Sequence, residues 1–512
     1  MAMNWLPGRK IDHPMANLKK AREMVDALPR GDSVRALEDA ASWLGSITRE
    51  AGFKLDYRLE LLDVIDAGAK AHWHAVAPEY LDAPRLQKLY ENRLWNAFYG
   101  YWRGLGDAYL HCLKQYQSGA AAANMETALP RIVGRALRSL TVQIKWRLLR
   151  YEIIEERIWS DLGSTYLFAE SRGFARRQTA VYPGKHGESS AQEELLKALL
   201  LAVSSPDALT PVKLQIAERV VAHVARLGVV DMVRMQGCGF YFNLTMHVPP
   251  ARIYKGMCMD NTVRFFGPAK GRAALADLAQ AINQQGDIPK DLNLGGDFGK
   301  QTVMRVLSHM GSYWADTPPE RKAARLKLVA RLTVVPGFSE AVAWIDANSD
   351  NDSLGFVSPA ISESWVVSNA SDGGYGATVP TAKGDWLRNG ALVGLRAEGQ
   401  TMSRVGVVRR TQRDKDDQRR VGIEVLSKIA VPVRFALASV KPAVPSGDAA
   451  NALLLNNKPD ANGQITLLLT AGTYVAGKPA HLSVRGKTYL LTPVAATEEG
   501  DDYDLATYKI AK

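Results

Sequence analysis

Two short groups of polar residues in this chain of 512 residues have side chains that suit an anionic ligand. Arg321 and Arg325 form an R-x3-R pattern, and Asn369, Ser371 and Gly374 form an N-x-S-x2-G pattern. The planar arginine fork binds phosphate or carboxylate oxygens through paired hydrogen bonds. An asparagine amide oxygen can accept hydrogen bonds from ligand N–H groups, and a serine hydroxyl can donate or accept one. Glycine lets the backbone approach a ligand closely or turn sharply.

Apolar segments of β type lie between and after the two motifs. These segments are residues 332–335, 364–367, 376–379, 392–395, 405–408 and 421–426. The order of motifs and strands resembles the PilZ domain, a small bacterial β-barrel that binds the cyclic dinucleotide second messenger c-di-GMP. The resemblance covers residues 321–435.

The resemblance implies a clamp for phosphate and guanine, and it implies control of motility, exopolysaccharide or biofilm formation. The residues of this implied c-di-GMP site are Arg321, Arg325, Asn369, Ser371 and Gly374. The segment between the two motifs is longer than the family usually has, and residues 344–354 read as a polar insertion in a loop. Two interpretations therefore stay open: a c-di-GMP receptor, or a PilZ-like adaptor that has lost its ligand.

The whole chain is predicted to be a multidomain α+β protein, because domains usually contain about 100–200 residues. Residues 1–177 have the pattern of an all-α helical module, and residues 190–320 that of a mixed α+β unit. The PilZ-like antiparallel β-barrel follows at 321–435, and a β-rich C-terminal extension at 436–512. Residues 178–192 contain Pro–Gly and Ser–Ser pairs and are predicted to be a linker or an exposed loop.

The helical module contains the pattern W-x2-L-G-x2-Y twice, at residues 102–109 and 159–166. Its four defined positions lie on one helix face, where the glycine would let a neighbouring helix approach closely. The pattern resembles the first helix of a tetratricopeptide repeat, but the two copies are farther apart than the roughly 34 residues of that repeat. Convergent helix packing is the favoured interpretation. Helical modules commonly bind proteins, so we expect a protein partner for the N-terminal half.

Strand-like and helical segments alternate in the middle unit. We expect strands at 239–246 and 262–266 and helices at 272–285 and 299–314. Beyond residue 435, alternating apolar residues separated by turn signals predict a small antiparallel sheet. That sheet could extend the barrel or form a homodimer contact.

Composition places further limits on function. The net charge is +11, with 46% hydrophobic and 23% charged residues. Because the basic residues are spread along the chain, a solvated surface is favoured over a nucleic-acid groove. Cys112, Cys238 and Cys258 are odd in number and far apart, which indicates no disulfide framework and a cytoplasmic location. No apolar run approaches the roughly 18 residues that span a bilayer, so membrane insertion is not expected.

No catalytic constellation is recognisable in the sequence. His72 and His74 lack other metal-ligand residues at suitable spacing, and the chain contains neither a phosphate-binding loop nor a serine nucleophile elbow. We therefore expect neither an enzyme, a metal site nor a cofactor. The expected function is a c-di-GMP receptor that couples the nucleotide to a protein partner. A ligand-free adaptor and a nucleic-acid-binding protein are the alternatives.

Overall fold

The computed structural model of the chain divides into two compact units. The first contains residues 1–206 and 211–319, and the second contains residues 207–210 and 320–512. The structure describes residues 11–82, 88–120, 124–184, 187–257, 259–289, 298–319, 324, 326–348, 361–379, 386–413, 418–438, 449–456, 458–484 and 486–511.

Helices dominate the first part of the chain, as the sequence predicts. They are α1 (Leu18–Asp26), α2 (Ser33–Arg49), α3 (Leu55–Asp82), α4 (Lys88–Gln117), α5 (Met125–Leu149), α6 (Glu156–Ser171), α7 (Ala191–Ala202) and α8 (Pro211–Val224), with 3-10 turns at Pro206–Ala208 and Ala225–Leu227. Asn17, Asp32 and Ser190 cap α1, α2 and α7. Each side chain accepts a hydrogen bond from the backbone N–H three residues later. Such caps satisfy donors that have no partner within the helix.

A buried ion pair joins α5 to α7. Arg138 donates to both carboxylate oxygens of Glu194, at 2.6 and 3.0 Å, and Lys197 donates to the same carboxylate at 2.7 Å. Glu194 is completely buried. Burial by itself would raise the pKa of Glu194, but the charges of Arg138 and Lys197 lower that pKa below its ordinary value. Glu194 is therefore ionised within the helical core.

The prediction of a linker or an exposed loop at residues 178–192 is wrong, because two strands form there and α7 begins at Ala191. This segment contains a short hairpin of β1 (Thr179–Ala180) and β2 (Glu188–Ser189), paired antiparallel. Val181 is completely buried, and its carbonyl accepts a hydrogen bond of 2.9 Å from Nε of Arg135 on α5. The Pro–Gly pair at residues 183–184 thus marks a hairpin end, and Val181 anchors the hairpin to the helices.

A small antiparallel sheet and two further helices complete the first unit. The strands are β3 (Val229–Asp231), β4 (Phe240–Asn243), β5 (Ala251–Arg252) and β6 (Val263–Gly267), in the order β3-β6-β4-β5. The helices are α9 (Gly271–Gln285) and α10 (Lys300–Tyr313). The strands and helices predicted for this region are confirmed.

The two glycines of the repeated W-x2-L-G-x2-Y pattern meet different neighbours. A Cβ at Gly106 would lie 3.2 Å from Cβ of Ser139 on α5, so a helix does pack closely there. A Cβ at Gly163 would lie 2.1 Å from the carbonyl oxygen of Leu244, just after β4. The first neighbour is a helix and the second is a loop backbone, which agrees with convergent packing.

The second unit begins with a closed antiparallel barrel. Its strands are β7 (Leu326–Pro336), β8 (Glu363–Ser371), β9 (Gly374–Val379), β10 (Leu392–Ala397), β11 (Arg404–Arg413) and β12 (Arg419–Ser427). They follow the order β10-β11-β12-β9-β8-β7, and β7 closes the ring by pairing with β10. All six predicted β segments are confirmed. The barrel core includes Leu332, Trp365, Val367, Tyr375, Ala377, Val421 and Ile423.

A helix follows β7 where the sequence analysis placed a polar loop. Helix α11 spans Phe338–Ala347, and Trp344 at the start of the supposed insertion is 3% exposed. The prediction is therefore wrong for residues 344–347, whereas residues 349–354 lie outside the described part of the chain. The buried residues Phe338, Ala341, Val342 and Ile345 have the spacing of an amphipathic helix.

The C-terminal strands close into a second barrel of their own. They are β13 (Val431–Leu437), β14 (Ala450–Leu454), β15 (Gln464–Thr470), β16 (Ala480–Val484), β17 (Lys487–Glu499) and β18 (Tyr503–Ile510). Their order is β13-β14-β15-β18-β17-β16, with every neighbour antiparallel. An apolar cluster joins the two barrels through α11. Its buried members are Phe338, Val342, Ile345, Leu392, Val405, Val407, Leu453, Leu468, Tyr503 and Leu505.

Candidate ligand-binding site

The N-x-S-x2-G motif forms the tight connection between β8 and β9. Ser371 ends β8 and pairs with Gly374, the first residue of β9. The Ser371 hydroxyl lies 3.5 Å from the carbonyl oxygen of Gly374. The motif therefore folds into one compact hairpin end at the rim of the first barrel.

Gly374 is buried against the neighbouring strand β12. A Cβ on Gly374 would lie 2.0 Å from the carbonyl oxygen of Ile423, far closer than real Cβ atoms approach. At Gly373, by contrast, a Cβ would meet nothing within 4 Å. Packing within the barrel thus gives a sufficient reason for glycine at position 374.

Asn369 lies on the outer face of the barrel because of a β-bulge. Trp365 and Val367 point into the core, so strict alternation would also turn residue 369 inward. The register shifts between Val367 and Asn369, which moves Asn369 to the other face. Its side chain covers Gly376, where a Cβ would lie 2.6 Å from Oδ1 of Asn369.

The amide of Asn369 has an unused acceptor. Its Nδ2 donates to the Ser368 hydroxyl at 3.2 Å. Its Oδ1 is buried and accepts no hydrogen bond among the described residues. A buried polar atom without a partner destabilises a fold by about 1–3 kcal/mol. Such an atom can accept a hydrogen bond from a ligand or a water molecule.

Five residues, one on each of five neighbouring strands, form a row on the outer face of the barrel. Lys327 of β7 is opposite Asn369, which is opposite Gly376 of β9. Gly376 is opposite Gly422 of β12, and Gly422 is opposite Arg410 of β11. The row therefore has cationic residues at both ends and glycines near its middle. Of these five, only Asn369 was singled out as a site residue from the sequence.

The R-x3-R motif falls where the structure is not described. Arg321 and Arg325 lie outside the described residues. Strand β7 begins with Leu326, and Leu326 is opposite Ala370 in the register of β7 and β8. The chain therefore enters the barrel beside Asn369 and Ser371. The structure thus brings Asn369, Ser371 and Gly374 together, and the positions of the two arginines stay a prediction.

An ion-pair network links β11 and β12 of the first barrel to the second barrel. Glu424 of β12 is opposite Gly374, and its carboxylate accepts a hydrogen bond of 2.7 Å from Nε of Arg409. The same guanidinium binds both carboxylate oxygens of Glu498 on β17, at 2.5 and 2.8 Å. Burial by itself lowers the pKa of Arg409, but hydrogen bonds and charge from Glu498 raise that pKa above its ordinary value. Tyr503 donates a further hydrogen bond of 2.8 Å to Glu498.

The described residues contain no cluster of three or more His, Cys, Asp and Glu side chains that could hold a metal ion. His72 is buried with its Nδ1 3.1 Å from the Ser33 hydroxyl, and His74 stacks on Trp73. Within the same residues, no helix is both long and apolar enough to cross a membrane.

The closed six-stranded barrel with the N-x-S-x2-G hairpin at its rim defines a PilZ-type domain. A family model described as the middle PilZ domain of the cyclic-di-GMP receptor FimW matches residues 359–432. The model of the N-terminal domain of the same receptor matches residues 19–231, from α1 to the end of β3. The two matches together cover more than half of the chain, which is similar to the cyclic-di-GMP receptor FimW over its N-terminal helices and its first barrel. A search of curated proteins found no match.

Proposed function

We propose that this protein is a receptor that binds c-di-GMP at the motif rim of its first barrel. The observation that carries the proposal is the buried, unpartnered Oδ1 of Asn369. This atom lies beside the point where β7 enters the barrel directly after the R-x3-R motif. The family description supports the same ligand.

Each motif residue has a distinct role in the proposed site. Arg321 and Arg325 grip phosphate and guanine from the segment before β7, through planar forks that can make paired hydrogen bonds. Asn369 accepts a hydrogen bond from a guanine N–H, and Ser371 offers its hydroxyl to guanine or phosphate. Gly374 keeps the hairpin end close to β12. These roles involve binding alone and include no catalytic step.

Calorimetric titration with c-di-GMP tests the proposal. The wild type should bind with micromolar or tighter affinity, and Arg325→Ala, Asn369→Ala and Ser371→Ala should each lose at least about tenfold, which corresponds to 1.4 kcal/mol. Arg434→Ala and Ser483→Ala are matched controls, because both residues lie on strands of the second barrel. The controls should bind like the wild type.

Other results would favour the competing functions. No binding by a folded wild type would indicate a PilZ-like adaptor without a ligand. Affinity for nucleic acid that falls steeply with salt and survives Asn369→Ala would indicate a nucleic-acid-binding protein. Equal c-di-GMP binding by all variants would reject the proposed residues.

We further propose that the N-terminal half couples the nucleotide to a protein partner. Exposed apolar side chains after β3 support this proposal: Met232, Val233 and Met235 are 53%, 66% and 51% exposed. Met232 lines a cavity of about 380 Å³ together with Leu167 and Glu170. Flexible methionine side chains adapt well to an apolar anchor from a protein partner.

Photocrosslinking in cells tests this coupling. A photoreactive residue at position 235 should give one adduct of defined mass whose yield changes with the c-di-GMP level and stops responding in the Asn369→Ala background. The same residue at position 490, an exposed position on the second barrel, is the control. An adduct that is equal at both positions or independent of the nucleotide would contradict the coupling.

A further inference from the structure

Gly422 occupies an unusual place in the first barrel. It lies in the interior of β12, which pairs with β11 on one side and β9 on the other. Its neighbours Val421 and Ile423 point into the core, so Gly422 is on the outer face. Glycine in a strand interior is destabilising relative to alanine. Such a glycine often marks a bulge, or a position where a ligand or another backbone approaches closely.

The described fold does not require glycine at position 422. A Cβ there would meet only the Cβ of Arg410, at 3.5 Å, which is an ordinary contact. Gly422 is also absent from the residues with positive φ. Gly376, the neighbour of Gly422 on β9, differs because Asn369 fills the space that its side chain would occupy.

We propose that Gly422 is the floor on which a guanine base of c-di-GMP lies flat, an inference that rests on the proposed function. The amide of Asn369 covers Gly376, and adjacent strands are about 4.8 Å apart. A base on Gly422 therefore lies beside that amide in the same layer. Its N–H edge then reaches Oδ1 of Asn369, the acceptor that has no partner in the described residues.

The charges along the same row complement this arrangement. Arg410 is one strand beyond Gly422, and Lys327 is at the other end of the row. Arg410 is about 5 Å from Gly422, at roughly 4.8 Å per strand. Its guanidinium also lies 3.8 Å from a carboxylate oxygen of Asp207. Lys327 is three strands away in a ring of six, so it lies on the opposite side of the barrel. A base on the floor thus has one basic side chain, that of Arg410, beside it for a phosphate.

A competing explanation is that Gly422 only accommodates a bulge. The register of β11 and β12 shifts between Val408 and Arg410, directly opposite Gly422. If glycine relaxes this bulge, a larger residue at position 422 lowers stability and leaves nucleotide affinity unchanged. If Gly422 is a floor, the larger residue leaves the fold intact and blocks the ligand.

Two substitutions of different size separate these explanations. Gly422→Ala and Gly422→Leu are titrated with c-di-GMP beside the wild type and Ser483→Leu, which adds the same bulk to an exposed strand of the second barrel. Circular dichroism and thermal unfolding establish that each variant is folded. We expect Tm to be unchanged or higher, with affinity reduced about tenfold by alanine and more than about a hundredfold by leucine. Ser483→Leu should bind like the wild type.

The outcomes distinguish the floor from the receptor function itself. Wild-type binding that persists in Gly422→Leu overturns the floor and leaves the receptor function intact. A wild type that binds no c-di-GMP overturns both. If Gly422→Leu fails to fold, Gly422→Ala decides, because its methyl group makes only an ordinary contact. Wild-type affinity in a folded Gly422→Ala then overturns the floor.

Discussion

Replacing Gly374 by alanine measures how strongly the barrel itself requires the last residue of the motif. A Cβ at this position would lie 2.0 Å from the carbonyl oxygen of Ile423. A close C···O contact is about 3.3 Å, so the two atoms must separate by more than about 1 Å. The obstructing atom belongs to the backbone of β12, which pairs with β9 on one side and β11 on the other. Relief therefore requires distortion of the barrel.

The size of the effect follows from this geometry. Overpacking generally destabilises proteins by about 1–3 kcal/mol. Because no flexible side chain can move aside, we expect the upper end, a loss of about 3 kcal/mol in the free energy of unfolding. In domains of about 150–250 residues, each kcal/mol shifts Tm by about 2–4 °C. The transition of the second unit should therefore move down by about 6–12 °C.

Calorimetry and tryptophan fluorescence without nucleotide provide the assay. Gly373→Ala is the matched control, because a Cβ there would meet nothing within 4 Å. Its unfolding free energy should stay within about 0.5 kcal/mol of the wild type. If Gly374→Ala melts with the wild type, the steric reasoning is wrong. If Gly374→Ala melts with the wild type but loses c-di-GMP affinity, glycine at position 374 is required for ligand binding instead.

Three other substitutions test further parts of the structure. Asn369→Ala should leave the unfolding free energy unchanged or raise it by up to about 1 kcal/mol, because it removes an unpartnered buried oxygen; a loss above about 1 kcal/mol in denaturant unfolding would contradict this. Glu194→Gln should destabilise the first unit by weakening its contact with Arg138. Because the pKa of Glu194 is lowered in the folded state, the ionised carboxylate stabilises the fold fully above the unfolded pKa of about 4.3, and this stabilisation is lost as the pH falls. The difference in unfolding free energy between the wild type and Glu194→Gln should therefore narrow by up to about 1.4 kcal/mol per pH unit in acid. A difference that stays constant from pH 7 to 3 would refute the assignment of an ionised Glu194. Arg409→Met should cost about 1–3 kcal/mol in denaturant unfolding, because Glu498 loses both hydrogen bonds to the guanidinium; an unchanged midpoint would show that the pair adds nothing.

The strands of the first barrel could be read from the sequence because their core residues alternate. Trp365 and Val367 follow this rule, as do Val421 and Ile423. Helix α11 could also have been found, since Phe338, Ala341, Val342 and Ile345 share one helical face.

The face on which Asn369 lies could not be read from the sequence. Counting from Val367 by twos places Asn369 in the core, and only the bulge turns it outward. A bulge depends on how two strands pair, which a single strand does not encode. For the same reason, the row that aligns Asn369, Gly376 and Gly422 became visible only with the register.

Local sequence patterns could not predict the closure of the second barrel either. Alternation predicts strands after residue 435, but it does not say that β13 and β16 meet to complete a ring. That contact joins residues far apart in sequence, Phe435 and Leu482 among them. The choice between an extended sheet and a separate barrel is therefore made by tertiary packing.

The apolar cluster between the barrels determines which fragments of this protein can be handled alone. A fragment that ends before β14 would uncover Leu392, Val405 and Val407, all completely buried in the intact chain. Their uncovered side chains would lie together on one barrel wall, and a contiguous apolar patch of this kind promotes aggregation. The PilZ-type barrel should therefore precipitate when it is expressed without its C-terminal neighbour, whereas residues 320–512 should remain in solution.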